Sequence, residues 1–232
     1  DMDFSLLQKD ENFNIERYFK DIVDEFEALG IETSIRKKEK KDKNNDIELA
    51  FLTIDTNQFK IANAYGNMAA IKIKIEADKN SPLYFQTETK TLLMPKSFNV
   101  RTMTLPNLYA SKIHAFLFRA WKERVKGRDW FDFEWYVKNN VSLNNVSLNL
   151  EHLFHRIRHF RNLQQNYLTK EYLQELLLAR ILELDIQKAI DDIKNYIKNP
   201  EELKIWDKDY FKFLVSNISY QQDEVVIEES LE

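Results

Sequence analysis

The stretch Ile71-Lys-Ile-Lys-Ile-Glu-Ala-Asp78 alternates apolar and charged residues without a break. Successive side chains of a β-strand point to opposite faces of a sheet, so the isoleucines face one side while Lys74, Glu76 and their charged neighbours face the other. We therefore predict a strand with one face on a core and the other face charged. Further strands of the same sheet are predicted at 31–36, 46–54, 87–94 and 98–104.

Most of the remaining chain has a helical pattern. Apolar residues recur at spacings of three and four between Asn12 and Leu29, and Gly30 then suits the end of a helix. After Pro106 the same periodicity predicts helices at 107–125, 130–138, 148–161, 170–182, 186–197 and 210–218. We predict an α+β fold, with a mixed-sheet domain over residues 1–105 followed by a C-terminal helical bundle over residues 106–232.

The composition excludes several classes of site. The 232 residues include no Cys and 3 Gly, which excludes a thiolate zinc site and a cysteine nucleophile and argues against a glycine-rich phosphate loop. No apolar run approaches the roughly 20 residues that span a bilayer, so no membrane partner is expected. The formal net charge of −4 argues against a protein that coats nucleic acid, but it leaves room for a local basic face.

Two aspartates open the chain, in the sequence Asp1-Met-Asp3-Phe-Ser. In a strand both carboxylates lie on one face, and a parallel placement beside the strand at 71–78 brings Glu76 to the same face. Such carboxylates can hold the Mg²⁺ ions of phosphoryl chemistry. The alternatives are solvated acids at the end of the chain and, for Glu76, an edge strand with a mixed-charge outer face.

A basic stripe is predicted near the middle of the chain. On one continuous helix, Lys112, Arg119, Lys122 and Lys126 fall within an arc of about 80°. Such a stripe suits a triphosphate or an RNA backbone. Asp129 follows Gly127, where an acid in the first turn would also stabilise the next helix. His152, His155 and His159 share one helical spacing, which fits a metal site, a phosphate- or RNA-contacting surface or a solvated face.

Together these segments resemble the AbiEii-like nucleotidyltransferase family, whose members are toxins of toxin–antitoxin and abortive-infection systems with a polymerase-β-type fold. The opening residues Asp1–Ser5 are similar to the second half of the family's first motif. Its helical signature is matched in order by Lys112, Ala115, Arg119 and Lys126-Gly-Arg-Asp-Trp-Phe-Asp132. The residues from Leu184 to Asp192, with Pro200, Trp206 and Tyr210-Phe211, look like the family's closing helices.

The resemblance implies roles for individual residues. The metal ligands would be Asp1, Asp3 and, as the additional acid, Glu76, holding Mg²⁺ in a two-metal site. The further catalytic residues would be Lys112, which contacts the nucleotide phosphates, and Asp129, which orients Lys112 or the substrate. The nucleotide contacts would be Lys112, Arg119, Lys126 and Arg128.

The implied activity is the transfer of an NMP from an NTP to an RNA, with tRNA as one candidate, or to a protein. The resemblance also implies a cognate antitoxin and a cytoplasmic toxin. The family carries a Gly-Ser or Gly-Gly-Thr turn upstream of its aspartates, so we expect the chain to be N-terminally incomplete and, in this form, not necessarily active. An inactive relative that binds RNA or protein is the alternative. A metal nuclease is disfavoured because Lys74 precedes Glu76, whereas the acid usually comes first.

Overall fold

The computed structural model describes residues 1–39, 46–56, 70–82, 84–120, 125–140, 146–160, 162 and 164–226. Within it the chain divides into two compact units, Asp1–Ser81 and Pro82–Glu232. Each unit has its own hydrophobic core, and each is described by itself.

The first unit contains a mixed four-stranded sheet. Its strands are β1 (Met2–Ser5), β2 (Thr33–Lys37), β3 (Ile47–Asp55) and β4 (Ala70–Asp78), in the order β1-β4-β3-β2. β1 pairs parallel with β4, and the other pairs are antiparallel. A 3₁₀ helix (Ile15–Tyr18) leads into α1 (Phe19–Ala28), and Gly30 follows with a φ of 73°, which confirms it as the residue that ends the helix.

The core of the first unit lies on one face of this sheet. Ile75 and Ala77 of β4 are buried there with Phe13, Ile15 and residues of β3. The Glu48 carboxylate, 5% exposed, accepts the Ile15 N–H at 2.8 Å, so it fixes the start of the 3₁₀ helix beside the sheet. The predicted alternation is confirmed in the second half of β4, because Ile75 and Ala77 are buried while Glu76 between them is half-exposed. At the start of the strand it does not lead to burial, since Ile71 is 46% exposed.

The second unit is mainly helical. Its helices are α2 (Leu105–Phe118), α3 (Gly127–Lys138), α4 (Leu150–His159), α5 (Lys170–Leu182), α6 (Ile186–Ile193) and α7 (Lys208–Ser216), with 3₁₀ helices at Lys194–Tyr196 and Pro200–Ile205. Buried aromatic rings join them: Trp130 of α3 contacts Phe116 of α2 and Phe211 of α7 edge-on. No helix of the described residues is long and apolar enough to cross a membrane.

The strands predicted at 87–94 and 98–104 are confirmed as strands, but their assignment to the first sheet was wrong. The predicted strands at 87–94 and 98–104 form a separate two-stranded sheet of β5 (Thr87–Leu92) and β6 (Phe98–Met103), and they do not join the first. This hairpin is tied to α2, because the Asn107 amide and the Thr104 N–H both donate to the Gln86 carbonyl. The compact units accordingly divide at Ser81, ahead of the boundary predicted near residue 105.

The structure also departs from the predicted helix through residue 125. α2 ends at Phe118, and Arg119 has an extended backbone with a ψ of 123°. The stripe from Lys112 to Lys126 therefore does not lie on one helical face, and Lys122 lies outside the described residues. Near the end of the chain, β7 (Tyr167–Thr169) pairs with β8 (Glu224–Val226), a sheet that was not predicted.

A substitution at Gly127, the first residue of α3, tests how closely α3 packs against α6. A Cβ on Gly127 would lie 2.1 Å from the Ala189 carbonyl oxygen, so Gly127→Ala must push the two backbones apart. We expect a loss of about 2 kcal/mol in the free energy of unfolding, measured with urea. Gly30→Asn is the control, because Asn tolerates a positive φ and a Cβ there meets open space. An unchanged urea midpoint for Gly127→Ala would contradict the close approach.

Candidate active site

Charged side chains share the open face of the first unit's sheet. Asp3 is the register partner of Glu76 across the parallel pair, so the two carboxylates lie side by side on the face opposite the core. The Lys74 ammonium lies 2.7 Å from the Glu76 carboxylate and 3.6 Å from that of Asp1. We call Asp1, Asp3, Lys74 and Glu76 the acid face. The predicted parallel placement of β1 beside β4 is confirmed.

The acid face has the donor chemistry of a magnesium site. Its carboxylate oxygens are the hard ligands that Mg²⁺ takes, and Mg²⁺ in phosphoryl-transfer sites is held by one or two carboxylates together with substrate phosphates. Among the described residues there is no group of three or more acidic or histidine side chains gathered for a metal. Asp3 and Glu76 are the register-paired carboxylates that this face could offer to a metal.

Lys74 is a residue of the acid face to which the sequence pattern assigned no role. Its ammonium pairs with both Asp1 and Glu76, so it offsets part of the negative charge of these two carboxylates. The signal in the sequence is its position two residues before Glu76 on the same strand, which places both side chains on one face.

In the second unit Lys112 is paired with an acid. Its ammonium lies 2.5 Å from an oxygen of Asp132, and both side chains are partly exposed. Asp132 comes three residues after Asp129, one helical turn along α3. Asp129 was expected to orient Lys112 or the substrate, and the acid that pairs with Lys112 in the structure is Asp132.

The buried carboxylate of Asp129 forms an ion pair with Arg119, whose side chain is 37% exposed. Its carboxylate, 3% exposed, accepts from Arg119 Nη1 through both oxygens, at 2.5 and 2.8 Å. Burial raises the pKa of the Asp129 carboxyl, and the Arg119 guanidinium opposes that shift. Arg119 is therefore committed to Asp129 in this structure and holds the start of α3 beside the end of α2.

Arg180 of α5 fixes the position of Arg119. Its guanidinium donates to the carbonyls of Phe116 at 3.1 Å and of Arg119 at 2.7 Å. These carbonyls lie at the end of α2, where helical hydrogen bonding stops. Arg180 thus satisfies the helix terminus and directs the chain so that Arg119 reaches Asp129.

The remaining predicted nucleotide contacts, Lys126 and Arg128, lie at the start of α3. Both line a cavity together with residues of α6 and of the segment that follows it. The Gly127 N–H between them donates to the Asp192 carboxylate at 2.9 Å.

The histidines of α4 do not share one environment. His152 is fully buried, whereas His159 is exposed. The His155 ring stacks on Tyr84 with a centroid separation of 3.6 Å, and burial lowers its pKa. His114 of α2 is also largely buried, which lowers its pKa to about 4. None of them belongs to a metal-ready group within the described residues.

The ancestry of the chain follows from its match to one protein family. The family described as "Nucleotidyl transferase AbiEii toxin, Type IV TA system" matches residues 1–225. The chain belongs to this family. Comparisons with curated proteins and with solved structures found no match. The suspected resemblance is thus confirmed over nearly the whole AbiEii chain, and the family implies a nucleotide substrate and a cognate antitoxin.

The Arg119–Asp129 pair of this AbiEii member makes a prediction about stability. Arg119→Gln leaves a buried carboxylate without its cation, and we expect a loss of about 2 kcal/mol in the free energy of unfolding near neutral pH, because Arg119 itself is partly exposed. In a double-mutant cycle, adding Asp129→Asn should restore part of this loss, because a neutral amide is cheaper to bury.

The same pair predicts a pH dependence. A raised folded-state pKa means that stability falls as the pH rises from the unfolded-state value of 3.8 through the folded-state value. In Arg119→Gln that fall should be larger and should extend to higher pH than in the wild type. Urea titrations from about pH 4 to pH 8 measure it. Parallel pH profiles for the two proteins would mean that Asp129 does not depend on Arg119.

Proposed function

We propose that this chain is the catalytic toxin of its system and that it transfers an NMP from an NTP to an RNA acceptor, with tRNA as the first candidate, in a Mg²⁺-dependent reaction. The observation that carries the proposal is the register of Asp3 opposite Glu76 on the open face of a mixed sheet, in a chain of a nucleotidyltransferase family. We further propose that it acts in the cytoplasm, where NTPs and tRNA are available.

The acid face would bind the metal. Asp3 and Glu76 offer adjacent carboxylates, and Asp1 lies at the same end of β1. When bound, Mg²⁺ supplies positive charge that neutralises the phosphates of the nucleotide. Lys74 would leave its ion pairs with Asp1 and Glu76 and turn its ammonium towards the phosphates.

Lys112 would bind the nucleotide phosphates as a point charge. Its present partner, Asp132, holds the ammonium ready on the surface of α2 and α3. Asp129 acts through Arg119, because this ion pair fixes α3 and with it Asp132.

The reaction is an in-line displacement. A hydroxyl oxygen of the acceptor forms a bond to the α-phosphorus while the bond to the bridging oxygen breaks, and pyrophosphate leaves. The hydroxyl proton passes to a carboxylate oxygen of the acid face. Such transfers depend mainly on positioning and on charge, which is what these side chains supply.

Two observations favour the second candidate, an inactive relative that binds RNA or protein. Lys74 pairs with two of the three carboxylates, and the described residues contain no ready group of three metal ligands. In that case RNA binding would be indifferent to Mg²⁺ and NTP. A nuclease would instead shorten the RNA.

The acid face predicts the outcome of a transfer assay. The full-length protein is incubated with Mg²⁺, total tRNA and each labelled NTP in turn. We expect label on RNA, and we expect Asp3→Asn to reduce transfer at least about 100-fold because a metal ligand is lost. Asp21→Asn, an exposed acid of α1, is the matched control. If folded wild-type protein labels neither RNA nor protein, the result would favour the inactive relative that binds RNA or protein. If Asp3→Asn is as active as the wild type, the metal assignment is rejected.

We predict that removal of the Lys112 ammonium weakens nucleotide binding. Lys112→Ala should raise the KM for the NTP about tenfold or more, because a phosphate loses its cation. Lys212→Ala, which also removes a half-exposed lysine paired with an acid, should leave the KM unchanged. If the two variants behave alike, Lys112 has only a surface role.

A further inference from the structure

A cavity of about 670 Å³ opens at the start of α3 in the second unit. Its wall includes Lys126 and Arg128 before and within the first turn of α3, Phe131 one turn later, and Ile193, Tyr196 and Lys198 from α6 and the segment after it. All of these residues belong to one compact unit. A volume of this size accommodates a nucleotide.

The cavity is built on a close approach of two helices. Gly127 leaves no room for a Cβ, because the Ala189 carbonyl of α6 would lie 2.1 Å away. The Gly127 N–H is also bound by Asp192, so the two helices are joined at this point by a hydrogen bond of 2.9 Å. The wall therefore rests on rigid elements.

The cavity wall carries three cations and two acids. Lys126, Arg128 and Lys198 form no ion pair with any side chain that the structure describes. Of the two acids in the wall, Asp192 accepts the Gly127 N–H, and Glu202 accepts from the Asn199 amide at 3.4 Å. A ligand with phosphate groups complements this distribution.

Tyr196 adds an aromatic surface. Its side chain is 82% exposed at the rim, although a ring of this size is usually buried or used. A base can stack on such a ring, and a stacking ring beside cations that track the phosphates is how proteins bind single-stranded nucleic acid.

We propose that this cavity binds one unpaired nucleotide of the RNA acceptor, with the base on Tyr196 and the backbone phosphates on Lys126, Arg128 and Lys198. The cavity fits RNA better than a donor NTP, because an NTP brings a metal that needs carboxylates and Asp192 is already bound to the backbone. This inference rests on the proposed function only in naming RNA as the acceptor.

The test measures RNA binding without the reaction. The full-length protein is titrated into a labelled, unstructured RNA oligonucleotide in EDTA and without NTP. We expect Tyr196→Ala to raise the Kd about tenfold or more, while Tyr196→Phe keeps the wild-type Kd because the ring remains. Lys198→Glu should weaken binding and reduce the slope of log K against log salt by about 0.7.

A matched charge change serves as control. Lys204→Glu lies outside the cavity wall, on the Pro200–Ile205 3₁₀ helix, and changes the net charge equally. We expect it to keep a Kd within about twofold of the wild type. Equal weakening by Lys204→Glu and Lys198→Glu would overturn the proposal, because only overall charge would then matter.

Two further outcomes would also overturn it. One is an unchanged RNA affinity in Tyr196→Ala and Lys198→Glu. The other is weaker binding of Mg·NTP with unchanged RNA binding, which would assign the cavity to the donor nucleotide. Because the titration contains neither metal nor NTP, it is read separately from the labelled transfer assay. If nucleotide transfer fails, the RNA titration still shows whether the cavity binds RNA.

Discussion

The parallel pairing of β1 with β4 is the constraint on which the proposed chemistry depends. A slip of one residue in β1 would turn Asp1 and Asp3 to the core face, because side chains alternate along a strand. The register of β4 is itself fixed by burial, since Ile75 and Ala77 belong to the core and Ile75 pairs with Ala50 of β3. Packing on one face of the sheet thus determines which carboxylates meet on the other.

Two ion pairs of the second unit differ in how deeply they are buried. The Arg119–Asp129 pair is the inner one, held by Arg180 through the carbonyls that end α2. The Lys112–Asp132 pair is more exposed and is therefore easier to exchange for a phosphate. The Arg119–Asp129 pair would set the geometry, and the Lys112–Asp132 pair could release its lysine. This division suits the proposed binding of a nucleotide.

The sequence predicted the features that depend on local pattern. The alternation in the second half of β4, the helix over Lys170–Leu182 and the helix end at Gly30 all agree with the structure. The partner of a strand or of a charge depends on tertiary contacts, so the β5–β6 hairpin was assigned to the wrong sheet. For the same reason, the pairing of Lys112 with Asp132 was not predicted, and α2 ends before residue 125, where Arg180 binds its carbonyls.

The most direct measurement is a crystal structure of the full-length protein with Mn²⁺ and a non-hydrolysable NTP analogue. Mn²⁺ replaces Mg²⁺ and is located by its anomalous scattering. We predict a metal peak bound by Asp3 and Glu76, with Lys74 turned away from Glu76. A nucleotide bound elsewhere, with the Lys74–Glu76 pair intact and no metal at the acid face, would contradict it.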